Sequence, residues 1–233
     1  MDEPIALIEV APGGLADIGG GACTRLIAAL ERANVERPRA LLVVAVDGLG
    51  AVEQRMPTPR GLDDPAALLA EFPAPTVAVW NGPAIGAGAE IVLAADIRVI
   101  GRDASMTFPE VGAGELPCWG GTQRLVRAGG VALALRMLVS GDTLDASILD
   151  RSGVAVCVAD PVTEGKALAR RLADGAPRAQ QAARDAVHRG LDVTLRDGLR
   201  LEADLNLLLS TTKDRSEGID AFFEKRPPKF TGE

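Results

Sequence analysis

Two acids held in unlike local sequence are the residues best equipped for chemistry. Glu90 closes the stretch Asn81-Gly82-Pro83-Ala84-Ile85-Gly86-Ala87-Gly88-Ala89-Glu90, and Glu110 ends Phe108-Pro109-Glu110, twenty positions later. Small residues before Glu90 strip that turn of side chains, so backbone N–H groups at the start of a following helix can approach a bound carbonyl oxygen. An oxygen gaining negative charge would be stabilised there by the positive end of the helix dipole. Two carboxylates beside such a turn suggest acid/base chemistry next to an oxyanion hole.

Plainer readings exist for each feature. Glycines also permit tight helix packing, an acid at a helix N-terminus is favoured by the dipole, and a glutamate after Pro109 can be a solvated loop residue. Taken together they explain less, because nothing else in the chain is equipped for proton transfer. The lone histidine, His188, falls on a polar helical stretch and reads as a surface residue, so a Ser-His-Asp triad and a multi-histidine metal site both lack their key member. A dinucleotide fingerprint fails because Ile91 stands where its third glycine belongs, and no Gly-Lys-Ser/Thr follows to make a phosphate loop.

The elements around the two acids read as α/β. Ile5 to Val10 and Ala40 to Val46 have strand character, with a helical pattern over Thr24 to Val35 between them. Asp47 to Pro59 is a loop, Asp64-Pro65 opens a short helix, and Thr76 to Trp80 returns to strand. Glu90 to Ala95 continues the glycine-rich turn as helix, Asp96 to Ile100 and Ser105 to Phe108 are extended, and Gly120 to Leu138 is helical with a break at Gly129-Gly130. Beyond residue 143 the chain is mostly helical, apart from a strand-like run over Val154 to Val158. We therefore divide it into a core, 1–142, and a helical carboxyl-terminal region, 143–233, that packs on the core or in an oligomer interface.

Bulk properties limit the partners. The 233 residues are 47% apolar with a formal charge of −7, enough for one large core and unsuited to a nucleic-acid or anionic-membrane surface. Cys23, Cys118 and Cys157 form no C-x-x-C pair, which argues for a reducing, cytoplasmic setting and against a thiolate metal site. The amino terminus lacks a basic segment before an apolar run, and no apolar stretch is long enough to span a bilayer, so secretion and membrane insertion are not expected. Arg124 and Arg127 are expected to be ion-pair partners on a helix surface.

The motifs NGPAIGAGAE, AADI, FPEVGAGELPCWGGTQRL and LVSGD, running from Thr76 to Asp142, together resemble the crotonase (enoyl-CoA hydratase/isomerase) superfamily in order and spacing. The end of the chain, from Lys213-Asp214-Arg215 through Phe222 to Pro228, is similar too, so the likeness covers roughly 40–232, patchily over 143–210. It implies a crotonase-like spiral of ββα units with a helical carboxyl-terminal region, assembled as a homotrimer or a dimer of trimers. It also implies an acyl-CoA thioester as partner, with coenzyme A entering only as part of the substrate and no metal or other cofactor required.

Carried over by position, Glu90 and Glu110 fall on the acid/base pair of the hydratases and the amide of Ala87 on one oxyanion donor. Gly86, Pro117 and Trp119 fall on substrate-binding positions. The loop carrying the second donor is shorter here, leaving the amide of Ala51 in Leu49-Gly50-Ala51-Val52 as the candidate. Retention of both acids favours hydration of an α,β double bond. Isomerisation is the alternative within the superfamily, with Glu115 as a further cleft carboxylate, and the shortened loop makes a non-catalytic acyl-CoA-binding protein the alternative outside it.

Overall fold

The structure is a computed structural model that describes residues 5–10, 21–49 and 64–233. Its frame is a parallel sheet of five strands in the order β1 (Ile5–Glu9), β2 (Ala40–Ala45), β3 (Thr76–Trp80), β5 (Ile97–Ile100) and β8 (Val156–Cys157). A second sheet orders β4 (Pro83–Ile85), β6 (Ser105–Thr107) and β7 (Leu144–Asp145), the last pairing antiparallel. β2 and β3 are buried at every position, as their continuous apolar runs require of central parallel strands.

The chain winds between the two sheets. β3 belongs to the first and β4 to the second, and α3 (Ala87–Ala94) follows; β5 and β6 repeat the step, followed by α4 (Gly121–Gly129) and α5 (Val131–Ser140). Each turn is a ββα unit. After β2 the same path is begun by Leu49, which bridges in parallel to Ala84, before α2 (Pro65–Ala70). Asp64 caps α2 by accepting from the Ala67 N–H at 2.9 Å, and Pro65 occupies the first turn, where its missing N–H costs nothing.

The helical break expected at Gly129-Gly130 separates α4 from α5, with Gly130 at φ 81°. Strand β8 is only two residues long, within the longer strand-like run, and β4, inside the glycine-rich turn, has no counterpart among the expected elements. Its three residues are too few to show alternation, and it exists because Ala84 and Ile85 find partners in β6.

In the carboxyl-terminal region, α6 (Ala146–Arg151) leads into β8, and α7 (Pro161–Ala173) covers β2 and β3 through Ala169 and Ala173. α8 (Pro177–Gly190) and α9 (Leu195–Leu209) pack together, α10 (Lys213–Glu224) follows, and the tail folds back as Asp214 accepts from the N–H groups of Thr231 at 2.6 Å and Gly232 at 2.9 Å. α7, and α8 through Asp96, meet the core sheet; the division into a separate unit beyond residue 142 is our proposal. Among the described residues, no helix is long and apolar enough to cross a membrane.

One partly buried carboxylate fastens α8 to the sheet. Asp96 Oδ2 accepts from the Thr76 N–H at 2.8 Å and Oγ1 at 2.9 Å, and Arg184 Nε lies 2.9 Å away, placed for charge attraction more than for a linear hydrogen bond. His188 Nε2 meets Asp96 Oδ1 at 3.0 Å, so this half-exposed histidine belongs to the same cluster and is more than surface decoration. Removing Asp96 leaves the nearly buried Arg184 guanidinium with the Phe72 carbonyl, 2.9 Å away, but no counter-charge, and strands the Thr76 amide. Asp96→Ala should therefore cost about 3 kcal/mol, read as a lowered urea midpoint with an unchanged slope; a loss within about 0.5 kcal/mol would show that α8 docks without it.

Candidate active site

The two sequence-marked acids come together at the carboxyl ends of the parallel strands, where ligands enter open α/β sheets. Helix α3 is buried along its whole length, so Glu90 on its first turn is carried inside with Ile91, Val92 and Leu93 and is 0% exposed. Its carboxylate is held by backbone. Oε1 accepts from the N–H groups of Trp119 and Gly121, each at 2.7 Å, and the Cys118 amide also faces it. Oε2 is buried without a donor among the described residues, which leaves that oxygen for a donor from outside the protein.

Opposing influences set the acidity of Glu90. Burial is the largest and raises its pKa, the amides of Gly121 and Trp119 lower it, and the neighbouring charge of Glu110 raises it again; the balance lies at about 7 against an ordinary 4.5. A carboxyl poised there can take a proton from a weak acid and return it near neutrality.

Glu110 opens a 3₁₀ turn, Glu110–Ala113, and is 6% exposed. Gly86 makes room for it. That residue sits at φ 53°, and a Cβ added to it would lie 2.6 Å from Glu110 Oε1, so only glycine satisfies both the backbone angle and the approach of the carboxylate. Gly86 is also the N-cap of α3, so Glu110 stands over the start of the helix, where Ala87, as first helical residue, has no intrahelical acceptor for its N–H.

Leu49 brings the loop after β2 to the same place. Its N–H donates to Pro83 O at 2.9 Å, its carbonyl accepts from the Ile85 N–H at 3.0 Å, and a Cβ on Gly88 would fall 2.5 Å from that carbonyl. Ala51 lies outside the described residues. Pro117 is buried and Trp119 half-buried, with Trp119 serving Glu90 through its backbone; Glu115 is exposed. The Cys118 thiol, half-buried beside Glu90 and Glu110, is pushed up to about 11, chiefly by burial, and is therefore no thiolate nucleophile. Arg127 pairs with Asp192 at 2.9 Å as expected, whereas Arg124 turns inward and bonds the carbonyl of Trp119.

The amide cradle is what residue typing missed. Trp119 and Gly121 act through N–H groups that carry no side-chain signal; the only hint was the Pro117 to Gly121 stretch after Glu110. Among the described residues, no group of three His, Cys, Asp or Glu side chains could hold a metal ion. An open cavity of about 610 Å³ bounded by Arg37, Arg39, Gln181 and Thr231 lies at the other end of the sheet, before β2 and β3, and contains neither acid.

Residues 51–233 match the family model described as enoyl-CoA hydratase/isomerase. The chain is 41% identical over 169 residues to 2,3-dehydroadipyl-CoA hydratase of Escherichia coli K12 and 40% identical over 172 residues to mitochondrial methylglutaconyl-CoA hydratase of Rattus norvegicus. Each match covers 71% of this chain, but only 66% and 55% of those relatives' own lengths. A solved enoyl-CoA hydratase from Geobacillus kaustophilus superposes with a TM-score of 0.86 at 30% identity, over 100% of this chain and 96% of that one. This chain thus belongs to the enoyl-CoA hydratase/isomerase family, and its α/β architecture is the crotonase spiral.

The buried acid has a consequence for stability that can be measured. Between pH 4.5 and about 7 the folded protein keeps a proton on Glu90 that the unfolded chain releases, so this group's contribution falls as pH rises and levels off above pH 7. The gap corresponds to about 3 kcal/mol. Glu90→Gln should therefore be more stable than wild type by up to that amount at pH 8 and equal to it near pH 4, compared by urea unfolding; a difference independent of pH would refute the shift.

Proposed function

We propose that the protein is an enoyl-CoA hydratase-like lyase that adds water across the α,β double bond of an acyl thioester. The observation that carries this reading is the pair itself: two buried carboxylates, close enough for one to raise the other's pKa, beside the open amide end of α3. In this reading water binds between the acids, Glu90 takes its proton as oxygen attacks the β-carbon, and the double-bond electrons move onto the thioester oxygen. The amide of Ala87, with that of Ala51 as second donor, stabilises the resulting enolate. Glu110, which holds the pair's one proton while Glu90 is ionised, then gives it to the α-carbon, and loss of a proton from Glu90 to solvent with uptake of one by Glu110 restores the pair.

Gly86 keeps the approach to this oxygen free of side chain, and Pro117 and Trp119 bound the acyl group. Coenzyme A enters as part of the substrate, with no other cofactor in the scheme. Exposed Glu115 offers no third buried carboxylate, so hydration is preferred to the isomerase alternative. An acyl-CoA-binding protein without turnover is the reading that catalysis would eliminate.

The assembly proposed is a trimer or dimer of trimers of this chain in the cytoplasm. Leu195, Leu199, Leu207 and Leu208 on α9 and Phe222 and Phe223 on α10 are all exposed, apolar side chains that further copies would cover. Replacing Phe222 and Phe223 together by Asp should lower the mass measured by sedimentation equilibrium to that of the monomer; an unchanged mass would place the interface elsewhere.

Steady-state hydration of crotonyl-CoA and 2,3-dehydroadipyl-CoA tests the chemistry. Glu90→Gln and Glu110→Gln should each lower kcat by about 10²- to 10⁴-fold, and kcat/KM of the wild type should fall on the acid side of about pH 7, where Glu90 becomes protonated. Full activity in both variants, or saturable acyl-CoA binding without turnover by the wild type, would overturn the reading.

A further inference from the structure

Arg124 stands in the first turns of α4, half-buried, within the field of Asp64, Glu90 and Glu71 but in direct contact with none of them. None of the ion pairs among the described residues includes it. Its Nη1 donates instead to the carbonyl of Trp119, and its own N–H donates to Gly120 O at 2.8 Å. The guanidinium lies against Gly120, where a Cβ would fall 2.5 Å from Nη1; Gly120 adopts φ 93° there.

The same turn holds Glu90. Trp119 offers its N–H to Glu90 Oε1 and its carbonyl to Arg124, so one residue's backbone links the cation to the carboxylate, and Gly121 supplies the second donor two residues on. The carboxylates of Asp64, Glu90 and Glu71 attract this cation from a distance, while its direct bond goes to a main-chain carbonyl, which ties that carbonyl in place. A carbonyl drawn onto a cation also leaves the linked chain of hydrogen bonds more polarised toward the carboxylate.

We infer that Arg124 is a positioning residue, fixing the Trp119–Gly121 turn so that its two amides remain aimed at Glu90 Oε1. The inference rests on Glu90 serving as the base proposed above. With Arg124 gone, the Trp119 peptide is free to rotate, Oε1 loses well-directed donors, and the ionised form of Glu90 is less stabilised. The base then both titrates higher and points less accurately at the water it must activate.

The test compares wild type with Arg124→Met, Arg124→Gln, which keeps a donor without the charge, and Arg124→Lys, which keeps the charge with a shorter donor. Two readouts are needed: kcat and KM for crotonyl-CoA, and the Glu90 titration midpoint from infrared difference spectra of each protein against the same protein carrying Glu90→Gln. Arg124→Met should lower kcat by about 10²-fold, as small misplacement of a reacting group does, with KM changed less than threefold. Its midpoint should rise by about one pH unit, the worth of a charge-assisted hydrogen bond. Lys should recover most of the loss and Gln less. A folded Arg124→Met variant with wild-type midpoint and kcat would overturn the inference, as would a loss confined to KM. If Arg124→Met does not fold, equal midpoints in the Lys and Gln variants and the wild type would overturn it in the same way. The spectra decide this even if the wild type hydrates no enoyl thioester, an outcome that would defeat the hydratase reading alone.

Discussion

The site depends on a carboxylate kept in a dry place by main-chain donors. Burying Glu90 in α3 is unfavourable by itself, and the amides of Trp119 and Gly121 offset part of that cost without removing it. The residue is therefore left with a proton it can lose or keep near neutrality, which a surface glutamate cannot offer. Replacing the amides by a lysine or arginine partner would drive the pKa far down and make a salt bridge instead of a group that titrates near neutrality. Main-chain donors give an intermediate result, and they give it with fixed geometry.

That arrangement explains why the glycines fall where they do. Gly86 lets Glu110 close over the N-terminus of α3, and Gly120 lets the turn holding Glu90 bend back onto Arg124. The spiral supplies the coincidence in space: successive ββα turns set α3 of one turn beside the segment leading into α4 of the next. A one-residue change in register at β4 or β6 would rotate Gly86 away from Glu110, because neighbouring strand residues face opposite sides.

Parts of the molecule far from the acids serve the same frame. Asp96 gathers Thr76, Arg184 and His188 at the beginning of β3, while the glycine-rich turn leaves from its end, so the strand that aims this turn is anchored at the opposite pole. α7 covers the remaining face of β2 and β3. The helices beyond it keep leucines and two phenylalanines exposed.

Much of this was legible in the residues alone. Continuous apolar runs marked the buried parallel strands, Asp64-Pro65 marked a helix start, the Gly129-Gly130 break marked a helix end, and the two acids stood out by the company they kept. The motifs from Thr76 to Asp142 carried the family. Sequence thus determined which side chains are candidates for chemistry and most of the segments that are strand or helix, because both follow from residue type and short-range spacing. Only the tertiary structure decided that Glu90 is wholly buried, that amides from residues about thirty positions away hold it, and that Arg124 faces inward and not toward a surface partner. Backbone donors have no residue letter, and the burial of a helix face depends on what the rest of the chain lays over it.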